Sequence, residues 1–331
     1  MSEKPSKVIL DTDPGADDIF ALLWLLSLSL QGLAEVTAIT TVGGNVPHLL
    51  TFQATHRILN LLGIKDIEVG KAIPRSPGKI SDAVHIHGQD GMGNLSHMLP
   101  ELATDLSQAP YADDVIIDNL SRFPGEIDLV AIGPLTNLAA AETKSPGILK
   151  KAKSIVLMGG AFTCPGNVTP EAEFNIAFDP LAAATVFASS HQIVVLPLDV
   201  TQHLLLTPIM LTKIAGADTP RTTQNQNQLA LFLKKLGQFM FKTHQEHRET
   251  GGLEGCLMHD ASAIAYLFYP ETLWLQRARV EIELEGKFTT GKTMCDRRHF
   301  PKNNPNAFIA TKVDAGNLLS ALVEDLKYLL R

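Results

Sequence analysis

Residues 8–18, with the sequence VILDTDPGADD, constrain the fold more than any other stretch of the chain. Apolar residues lead into a Pro-Gly turn, and the apolar run 19–30 follows, which predicts a buried strand, a turn and a buried helix. Four aspartates, at positions 11, 13, 17 and 18, therefore lie where a strand ends and a helix begins. A helix N-terminus tolerates negative charge, but carboxylates this close repel one another unless a cation binds between them. We therefore expect a metal site of hard oxygen ligands, which suits calcium or magnesium.

The alternative for this stretch is a solvated acidic turn that caps the helix, although one or two acids suffice for capping. An EF-hand loop is excluded because, counted from Asp11, its required glycine and glutamate positions hold Ala and Leu. Asp17 and Asp18 are neighbours in the first helical turn, so their side chains point about 100° apart. One can face a metal while the other faces a substrate. Asp13, at the strand end, can reach the same point as Asp18.

Short β-rich runs alternate with helical patterns over the first two-thirds of the chain. The predicted strands are 8–10, 36–41, 127–132, 155–157 and 193–196, and the predicted helices are 16–30, 49–62, 111–123, 135–142 and 180–190. This alternation predicts an α/β fold, with an open, mostly parallel (mixed) sheet and helices on both faces. Neither a linker nor an internal repeat interrupts the pattern, so we predict one domain over residues 1–331.

The remainder of the chain is predicted to add helices and a C-terminal β-hairpin. Helical spacing covers 228–249, a second helix begins near 259, an alternating edge strand covers 279–285, and the last helix covers 316–330. Residues 286–293, GKFTTGKT, match the phosphate-loop pattern. However, residues 294–306 hold two prolines and three asparagines, and a phosphate loop needs a helix at that point. We therefore predict a hairpin that joins 280–284 to 293–295.

Composition narrows the class of protein. The net charge is −7 and no basic block is present, which argues against a nucleic-acid partner. The three cysteines are too widely spaced for a zinc site or a disulfide framework, which fits a reducing compartment. The longest apolar run, 19–30, is shorter than the roughly 20 residues that span a bilayer, and the first residues lack a signal-peptide core. We expect a cytoplasmic protein that binds neither membrane nor nucleic acid.

Ligands bind beyond the carboxyl ends of the strands in a sheet of this kind. The residues there are the acidic stretch 11–18, Gly43-Gly44-Asn45, Gly133-Pro134 and Gly159-Gly160. Two long loops, 71–99 and 161–179, are expected to cover the same edge, because loops of this length in a compact domain are commonly functional.

The histidines allow two interpretations each. His85 and His87 are predicted to alternate in an extended loop, where His87 either packs the loop or meets a ligand. His244 and His247 lie near a helix end and are predicted to be solvated. Neither pair has zinc-site spacing. His259 and Asp260 precede an apolar helix. Asp260 either only caps this helix or completes a metal site, and in the second case His259, which points away from it, can reach a bound ligand.

Residues 167–175 contain Asn167, Glu173, Phe174 and Asn175 in one loop. Amide and carboxylate side chains together suit recognition of several hydroxyl groups, which makes a sugar the obvious candidate. A plain polar surface loop is equally compatible with these residues.

Together these motifs resemble the inosine–uridine-preferring nucleoside hydrolases. The similarity begins with DTDPGADD at 11–18 and continues in the family's order. The further motifs are TVGGN at 41–45, HGQDG at 87–91, IGPLTN at 132–137, MGG at 158–160, GNVTP at 166–170, AEFN at 172–175, His259-Asp260 and the hairpin ending at Asp296.

The resemblance implies a nucleoside hydrolase fold and calcium-dependent hydrolysis of the N-glycosidic bond of ribonucleosides, as in purine and pyrimidine salvage. It implies that Asp13, Asp18, Asp260 and the carbonyl of Ile132 bind Ca²⁺, and that Asp13 is the general base for a water held there. It implies that the ribose hydroxyls are bound by Asp17, Asn45, Asn167, Glu173 and Asn175. Met158 and Phe174 would line the sugar pocket, His87 would lie near the base or a closing loop, and His259 would face the nucleobase as the candidate acid. A homo-oligomer, dimer or tetramer, is expected.

Two departures from the family pattern leave the base preference open. Ala261-Ser262 follow His259-Asp260 where the family usually has Pro and a larger apolar residue. The helix that carries Phe239 and Phe241 offers no Tyr or Trp against a nucleobase.

Two rival functions remain at this point. A haloacid-dehalogenase-type phosphatase also begins with a strand and Asp-x-Asp, with Asp11 as nucleophile and Asp13 as acid, but that family has Thr or Val where Gly15 stands. A calcium-dependent nucleoside-binding protein without turnover is the second rival.

Overall fold

The computed structural model describes residues 4–73, 80–102, 107–190, 192–216, 221–296, 298 and 303–331. Within them, nine strands form the main sheet, and two short strands form a second one. The main-sheet strands are β1 Ser6–Thr12, β2 Ala34–Thr41, β3 Glu68–Gly70, β4 Ile127–Ala131, β5 Ser154–Met158, β6 Ile193–Leu196, β9 Leu273–Ile282, β10 Thr293–Asp296 and β11 Ala307–Val313; the others are β7 Leu205–Leu206 and β8 Cys256–Leu257.

The helices follow the strands in alternation and then dominate the later part of the chain. They are α1 Ala16–Leu30, α2 His48–Leu62, α3 Val84–His87, α4 Ala112–Arg122, α5 Thr136–Lys144, α6 Phe174–Phe178, α7 Pro180–Ser189, α8 Leu198–Thr201, α9 Pro208–Ala215, α10 Gln224–Glu246, α11 Ala261–Phe268 and α12 Ala315–Leu329.

The strand order reverses at β1, where the chain stops adding strands on one side of the sheet and begins to add them on the other. The order is β10-β9-β11-β6-β5-β4-β1-β2-β3, and all neighbours pair in parallel except that β9 is antiparallel to β10 and β11. From β1 the chain builds outward through β2 and β3 on one side and through β4, β5 and β6 on the other. The crevice between the carboxyl ends of β1 and β4 is therefore a topological switch point, where such sheets bind ligands.

Apolar side chains fill both faces of the sheet. On one face the buried cluster includes α1, whose residues from Ala16 to Leu28 are all buried. A helix that is apolar on every side belongs in a core, and α1 packs against α11 and α12. On the opposite face a second cluster joins the sheet to α4, α5 and α7. The predicted α/β fold with a mostly parallel sheet covered on both faces is confirmed.

Most predicted elements match, one predicted strand is misplaced, and several observed elements were not predicted. The hairpin at the phosphate-loop pattern is confirmed, since Thr293 pairs with Ile282 across β9 and β10. The segment predicted as an edge strand is wrong in placement: β9 begins at residue 273 and lies between β10 and β11. The short strand β3 and the strand β11, which inserts beside β6, were not predicted.

The loop prediction for 71–99 also needs a correction. His85 and His87 lie in the helical turn α3 and not in extended chain, because the N–H groups of residues 86–88 bond back to carbonyls at 83 and 84. Residues 74–79 of that loop, residues 1–3 at the N-terminus, and residues 297 and 299–302 after β10 lie outside the described residues. Of the described helices, none is long and apolar enough to cross a membrane.

Candidate active site

Asp13 follows β1 directly and is held at the switch point by its surroundings. Its Oδ2 accepts a hydrogen bond from the backbone N–H of Asn45 at 2.8 Å. Its Oδ1 is buried and has no partner among the described residues. A side chain on either Gly44 or Gly133 would collide with the Asp13 carboxylate. The two glycines therefore allow the loops after β2 and β4 to close around one carboxylate.

Asp18 is fixed by four hydrogen bonds. Its Oδ1 accepts from the Thr12 hydroxyl at 2.7 Å and from the Asp13 N–H at 3.2 Å. Its Oδ2 accepts from the Gly15 N–H at 3.0 Å and from Asn45 Nδ2 at 2.8 Å. This network locks the turn between β1 and α1, so the position of the acidic stretch is set by the chain itself.

Asp17, Asp18 and Asp260 form a buried set whose carboxylate oxygens lie within 4.8 Å of one another. Asp260 comes from the turn before α11, some 240 residues along the chain. Asp17 and Asp260 also line a cavity, whereas Asp13 and Asp18 lie behind them. The family resemblance groups Asp18 with Asp13 and Asp260, and the structure adds Asp17 to that neighbourhood.

Burial and mutual repulsion disfavour the charged forms of these acids. Burial, together with the charge of Asp18, raises the pKa of Asp17 to about 7. Burial, with the charge of Asp18, raises the pKa of Asp13 well above the usual range, and burial, with the charges of Asp17 and Asp18, does the same for Asp260. No Lys or Arg in the described part of the chain forms an ion pair with any of the four acids.

The donor set fits a hard divalent cation. The atoms are carboxylate oxygens, and Ile132, the residue after β4, lines the same cavity as Asp17 and Asp260. Calcium takes both carboxylate and backbone carbonyl oxygens as ligands. The unpartnered Oδ1 of Asp13 and the close packing of Asp17, Asp18 and Asp260 are the features that a bound cation would satisfy.

Asp11 lies behind the site. Its Oδ1 accepts from the Thr40 hydroxyl at 2.6 Å and from Asn137 Nδ2 at 2.7 Å. Asn137 Nδ2 also donates to the Thr41 carbonyl at 2.9 Å. Asp11 is fully buried, and burial raises its pKa to about 7. It therefore ties β1, β2 and α5 together and does not face the cavity.

The loop after β5 brings Glu173 and Asn175 to the same edge. Glu173 caps α6: its carboxylate accepts from the N–H groups of Gly160, Asn175 and Ile176. Asn175 Nδ2 donates to the Ile132 carbonyl at 2.9 Å and to the Met158 carbonyl at 3.1 Å. Both residues are buried, so a plain surface loop does not describe them.

Asn167 and Phe174 occupy the outer part of the same loop. Asn167 is exposed, and its Oδ1 accepts from the Phe174 N–H at 2.9 Å. Phe174 is half-buried with its ring 5.5 Å from that of Phe178. Asn167 and Phe174 line the cavity with Glu173, Asn175 and Met158.

The cavity has a volume of about 340 Å³ and joins the acids to a group of histidines. The described residues that line it are Asp17, Asn45, Ile80, Ser81, Asp82, Ala83, His85, Ile86, His87, Ile132, Met158, Asn167, Val168, Glu173, Phe174, Asn175, His244, His247, Glu249, His259 and Asp260. All of the residues that the resemblance assigned to substrate therefore meet in one space.

His244 is the clearest residue that sequence reasoning missed. It was predicted to be solvated, but it is buried, and its Nδ1 accepts the Leu257 N–H at 3.2 Å. The cause is long-range: β8 packs against the end of α10 and covers the ring. The only sequence signal was a histidine on the apolar side of α10. His85 and His247 also line the cavity, with ring centroids 5.3 Å apart.

Buried acids at the switch point of a parallel α/β sheet face amide side chains across a cavity, which is where enzymes of this architecture bind small substrates. The sequence model of the inosine-uridine preferring nucleoside hydrolases matches residues 8–320 of the chain. The protein belongs to this family, and it is an enzyme of the nucleoside hydrolase class.

Individual relatives align over nearly the whole chain. An inosine-uridine preferring nucleoside hydrolase of Leishmania major is 35% identical over 326 residues, 98% of each chain. A pyrimidine-specific ribonucleoside hydrolase of Salmonella paratyphi B is 34% identical and covers 97% of this chain and 98% of its own. The structure of a purine-preferring ribonucleoside hydrolase from Gardnerella vaginalis superposes with a TM-score of 0.86 at 28% identity, over 98% of this chain and 99% of that one.

Proposed function

We propose that the enzyme hydrolyses the N-glycosidic bond of ribonucleosides of the inosine and uridine type, to free base and ribose, in a calcium-dependent reaction. One observation carries the proposal: Asp17 and Asp260 line a cavity that also contains the Glu173–Asn175 loop and the histidines, and Asp18 and the unpartnered Oδ1 of Asp13 lie directly behind them.

Asp13, Asp18 and Asp260, with the Ile132 carbonyl, are proposed to hold Ca²⁺, and the proximity of Asp17 supports its contribution to the same charge balance. When bound, calcium would neutralise the acids and orient the attacking water and the ribose hydroxyls as a mild Lewis acid. The absence of a basic partner for these acids in the described chain supports a cation at this point.

Asp13 is proposed as the general base. Its Oδ2 is anchored by the Asn45 N–H, which leaves Oδ1 to accept a proton from water. As the water oxygen bonds to the anomeric carbon, the bond from that carbon to the base breaks through an oxocarbenium-like transition state. The bonding electrons leave with the base, the proton of the water passes to Asp13, and the base anion then takes up a proton from solvent to give the free base.

The sugar is proposed to lie between Asp17, Asn45 and the loop that contains Asn167, Glu173 and Asn175. Internal hydrogen bonds decide which atoms are free. Asn45 and Asn175 use Nδ2 within the protein and keep Oδ1 for a hydroxyl, whereas Asn167 uses Oδ1 and keeps Nδ2. The hydroxyls would thus meet both acceptors and donors, while Met158 and Phe174 pack against the ring.

His259 and His87 are proposed to face the base. His259 Nδ1 lies 2.8 Å from the Thr201 hydroxyl, and burial lowers the pKa of His259 to about 3. A neutral imidazole at this point can donate a hydrogen bond to the base as negative charge develops there. A millionfold acceleration requires about 8 kcal/mol, which is more than one such contact supplies. Rate enhancement must therefore come from the whole site.

The phosphatase alternative receives no support from the position of Asp11. A nucleophile must reach its substrate, but Asp11 is fully buried and bonded to Thr40 and Asn137 behind the site.

The test compares products and metal dependence. The purified enzyme should release ribose from inosine and uridine and no phosphate from a phosphate ester; phosphate release without ribose would contradict the proposal. Exhaustively chelated protein should lose activity and show a lower Tm, and it should take up calcium in a direct binding measurement. Asp260→Asn should weaken that calcium uptake, and full activity after chelation would rule out the metal site.

We propose that the enzyme acts in nucleoside catabolism and in purine and pyrimidine salvage, because its proposed products are a free base and ribose. The cysteines Cys164, Cys256 and Cys295 are free thiols, which supports the cytoplasm as its compartment. A dimer or tetramer stays a prediction, to be checked by light scattering.

A further inference from the structure

His244 is oriented by a backbone group. The ring is 6% exposed, and its Nδ1 accepts the Leu257 N–H at 3.2 Å. Because a backbone N–H can only donate, Nδ1 of His244 must be unprotonated. A neutral ring in this position therefore carries its hydrogen on Nε2.

His87, which lines the cavity from α3, is also oriented by a backbone N–H. Its Nδ1 accepts the N–H of Ala16, the first residue of α1, at 3.0 Å. The same argument fixes its hydrogen on Nε2. Two imidazoles from distant parts of the chain, α3 and α10, are thus held in the same tautomer.

Both Nε2–H groups are available to a ligand. The rings of His87 and His244 line the cavity. The hydrogen bonds of the two rings to described residues are made by Nδ1, which leaves each Nε2 without a partner there. Neither Nε2 is among the buried unpartnered atoms, as the Nε2 of His56 is, so each atom keeps some access to the cavity although His244 as a whole is buried. Burial lowers the pKa of His244 to about 4 and that of His87 to about 3, so both rings are neutral at neutral pH.

We propose that His244, together with His87, forms a fixed pair of neutral N–H donors that selects nucleobases with hydrogen-bond acceptors at this wall. The inference rests on the proposed function and adds to it the residues, His244 above all, that would distinguish an oxo base such as hypoxanthine or uracil from an amino base. When the glycosidic bond breaks, negative charge spreads onto the carbonyl oxygens and ring nitrogens of the base. Hydrogen bonds to these atoms strengthen as the charge grows, and they favour the transition state over the bound substrate.

Amino bases are disfavoured by the same geometry. In adenosine and cytidine an amino group stands where inosine and uridine have a carbonyl. An amino group would point its own N–H at the histidine N–H, so that two donors face each other. The histidine cannot move its hydrogen to Nδ1 without losing the hydrogen bond from the backbone N–H. Unpaired polar groups at a recognition site carry a large penalty, so a fixed donor is a strong discriminator.

The experiment uses three variants of the full-length enzyme. In His244→Asn, the side-chain oxygen can replace Nδ1 as acceptor for the Leu257 N–H, but no donor reaches the position of Nε2. His244→Gln places an amide near Nε2 and tests for rescue. His203→Asn is the matched control, since His203 is exposed and does not line the cavity.

The values of kcat/KM are measured for inosine, adenosine, uridine and cytidine, and for p-nitrophenyl β-ribofuranoside, whose leaving group is already a stable anion. His244→Asn should lower the values for inosine and uridine about tenfold or more, and those for adenosine, cytidine and the nitrophenyl riboside less than about threefold. Equal losses on all five substrates, or unchanged ratios, would overturn the donor pair. Release of no ribose by the wild-type enzyme from any nucleoside would instead contradict the proposed function itself.

Discussion

The two ends of the cavity are built differently. At the acid end, Asp18 alone accepts four hydrogen bonds, and Glu173 accepts three backbone N–H groups. At the histidine end, one hydrogen bond orients each of His87, His244 and His259. The acid end follows strands of the sheet, whereas two of the histidines come from a single helical turn and the end of a long helix.

The difference corresponds to two proposed roles: the acid end cleaves the glycosidic bond, and the histidine end selects the base. The groups proposed to cleave the bond are placed by many contacts on a rigid sheet, as accurate catalytic geometry requires. The groups proposed to recognise the base depend on few contacts, so a small number of substitutions can change them without disturbing the sheet. The relatives that align over nearly the whole chain carry names that differ in base preference: inosine-uridine preferring, pyrimidine-specific and purine-preferring.

The largest effect is expected from Asp13→Asn at the acid end. The amide oxygen can still accept the Asn45 N–H, so the fold should persist, but the group can no longer take a proton. We expect kcat to fall by about a thousandfold or more, within the range of lost general-base catalysis. Steady-state ribose release measures the rate, and circular dichroism with thermal melting checks folding. Near-normal turnover by a folded variant would remove Asp13 as the base.

Prediction from sequence succeeded where the relevant residues are close in the chain or follow a strand directly. Asp13, Asp17 and Asp18 share one strand–turn–helix unit, so local pattern and charge repulsion located them. The position of His244 could not be predicted, because its burial depends on β8 packing against α10 from later in the chain. The insertion of β11 beside β6 is likewise a long-range pairing that leaves no local signal. The acid end was therefore more predictable than the histidine end.

Glu173→Gln tests whether activity depends on the exact position of the loop that contains Asn167, Glu173 and Asn175. The carboxylate accepts N–H groups from Gly160, Asn175 and Ile176, and an amide would turn an NH₂ toward at least one of these donors. We expect kcat/KM for inosine to fall roughly 10- to 100-fold, equivalent to about 1.4–2.8 kcal/mol. Glu171→Gln is the control from the same loop: it removes the half-exposed ion pair with Lys292 and should change kcat/KM little. Similar losses in both variants would mean that the loop responds to any change of charge.

Thr293→Val tests how the hairpin supports the same loop. The buried Thr293 hydroxyl donates to the Ala161 carbonyl at 2.8 Å and accepts the Ala161 N–H at 2.9 Å. Valine keeps the shape but leaves both backbone groups unpaired, which should lower the free energy of unfolding by about 2 kcal/mol. Urea denaturation measures this loss. Thr290→Val, at a half-buried hydroxyl in the hairpin turn, is the comparison and should be less destabilising.

The smallest effect concerns the stability of the histidine end in acid. Burial lowers the folded-state pKa of His244 from 6.5 to about 4, so the unfolded chain binds the proton more tightly between these values. The contribution of His244 is therefore complete above pH 6.5 and is lost as the pH falls toward 4. At pH 5.5, one unit below the unfolded value, the loss is about 1.4 kcal/mol. The free energy of unfolding is measured at pH 8 and at pH 5.5 for the wild type, His244→Asn and His203→Asn. Between the two pH values the wild type and His203→Asn should each lose about 1.4 kcal/mol more than His244→Asn. An equal loss in all three proteins would show that His244 is not held neutral, and the contrast between the two ends of the cavity would then lie in the number of hydrogen bonds alone.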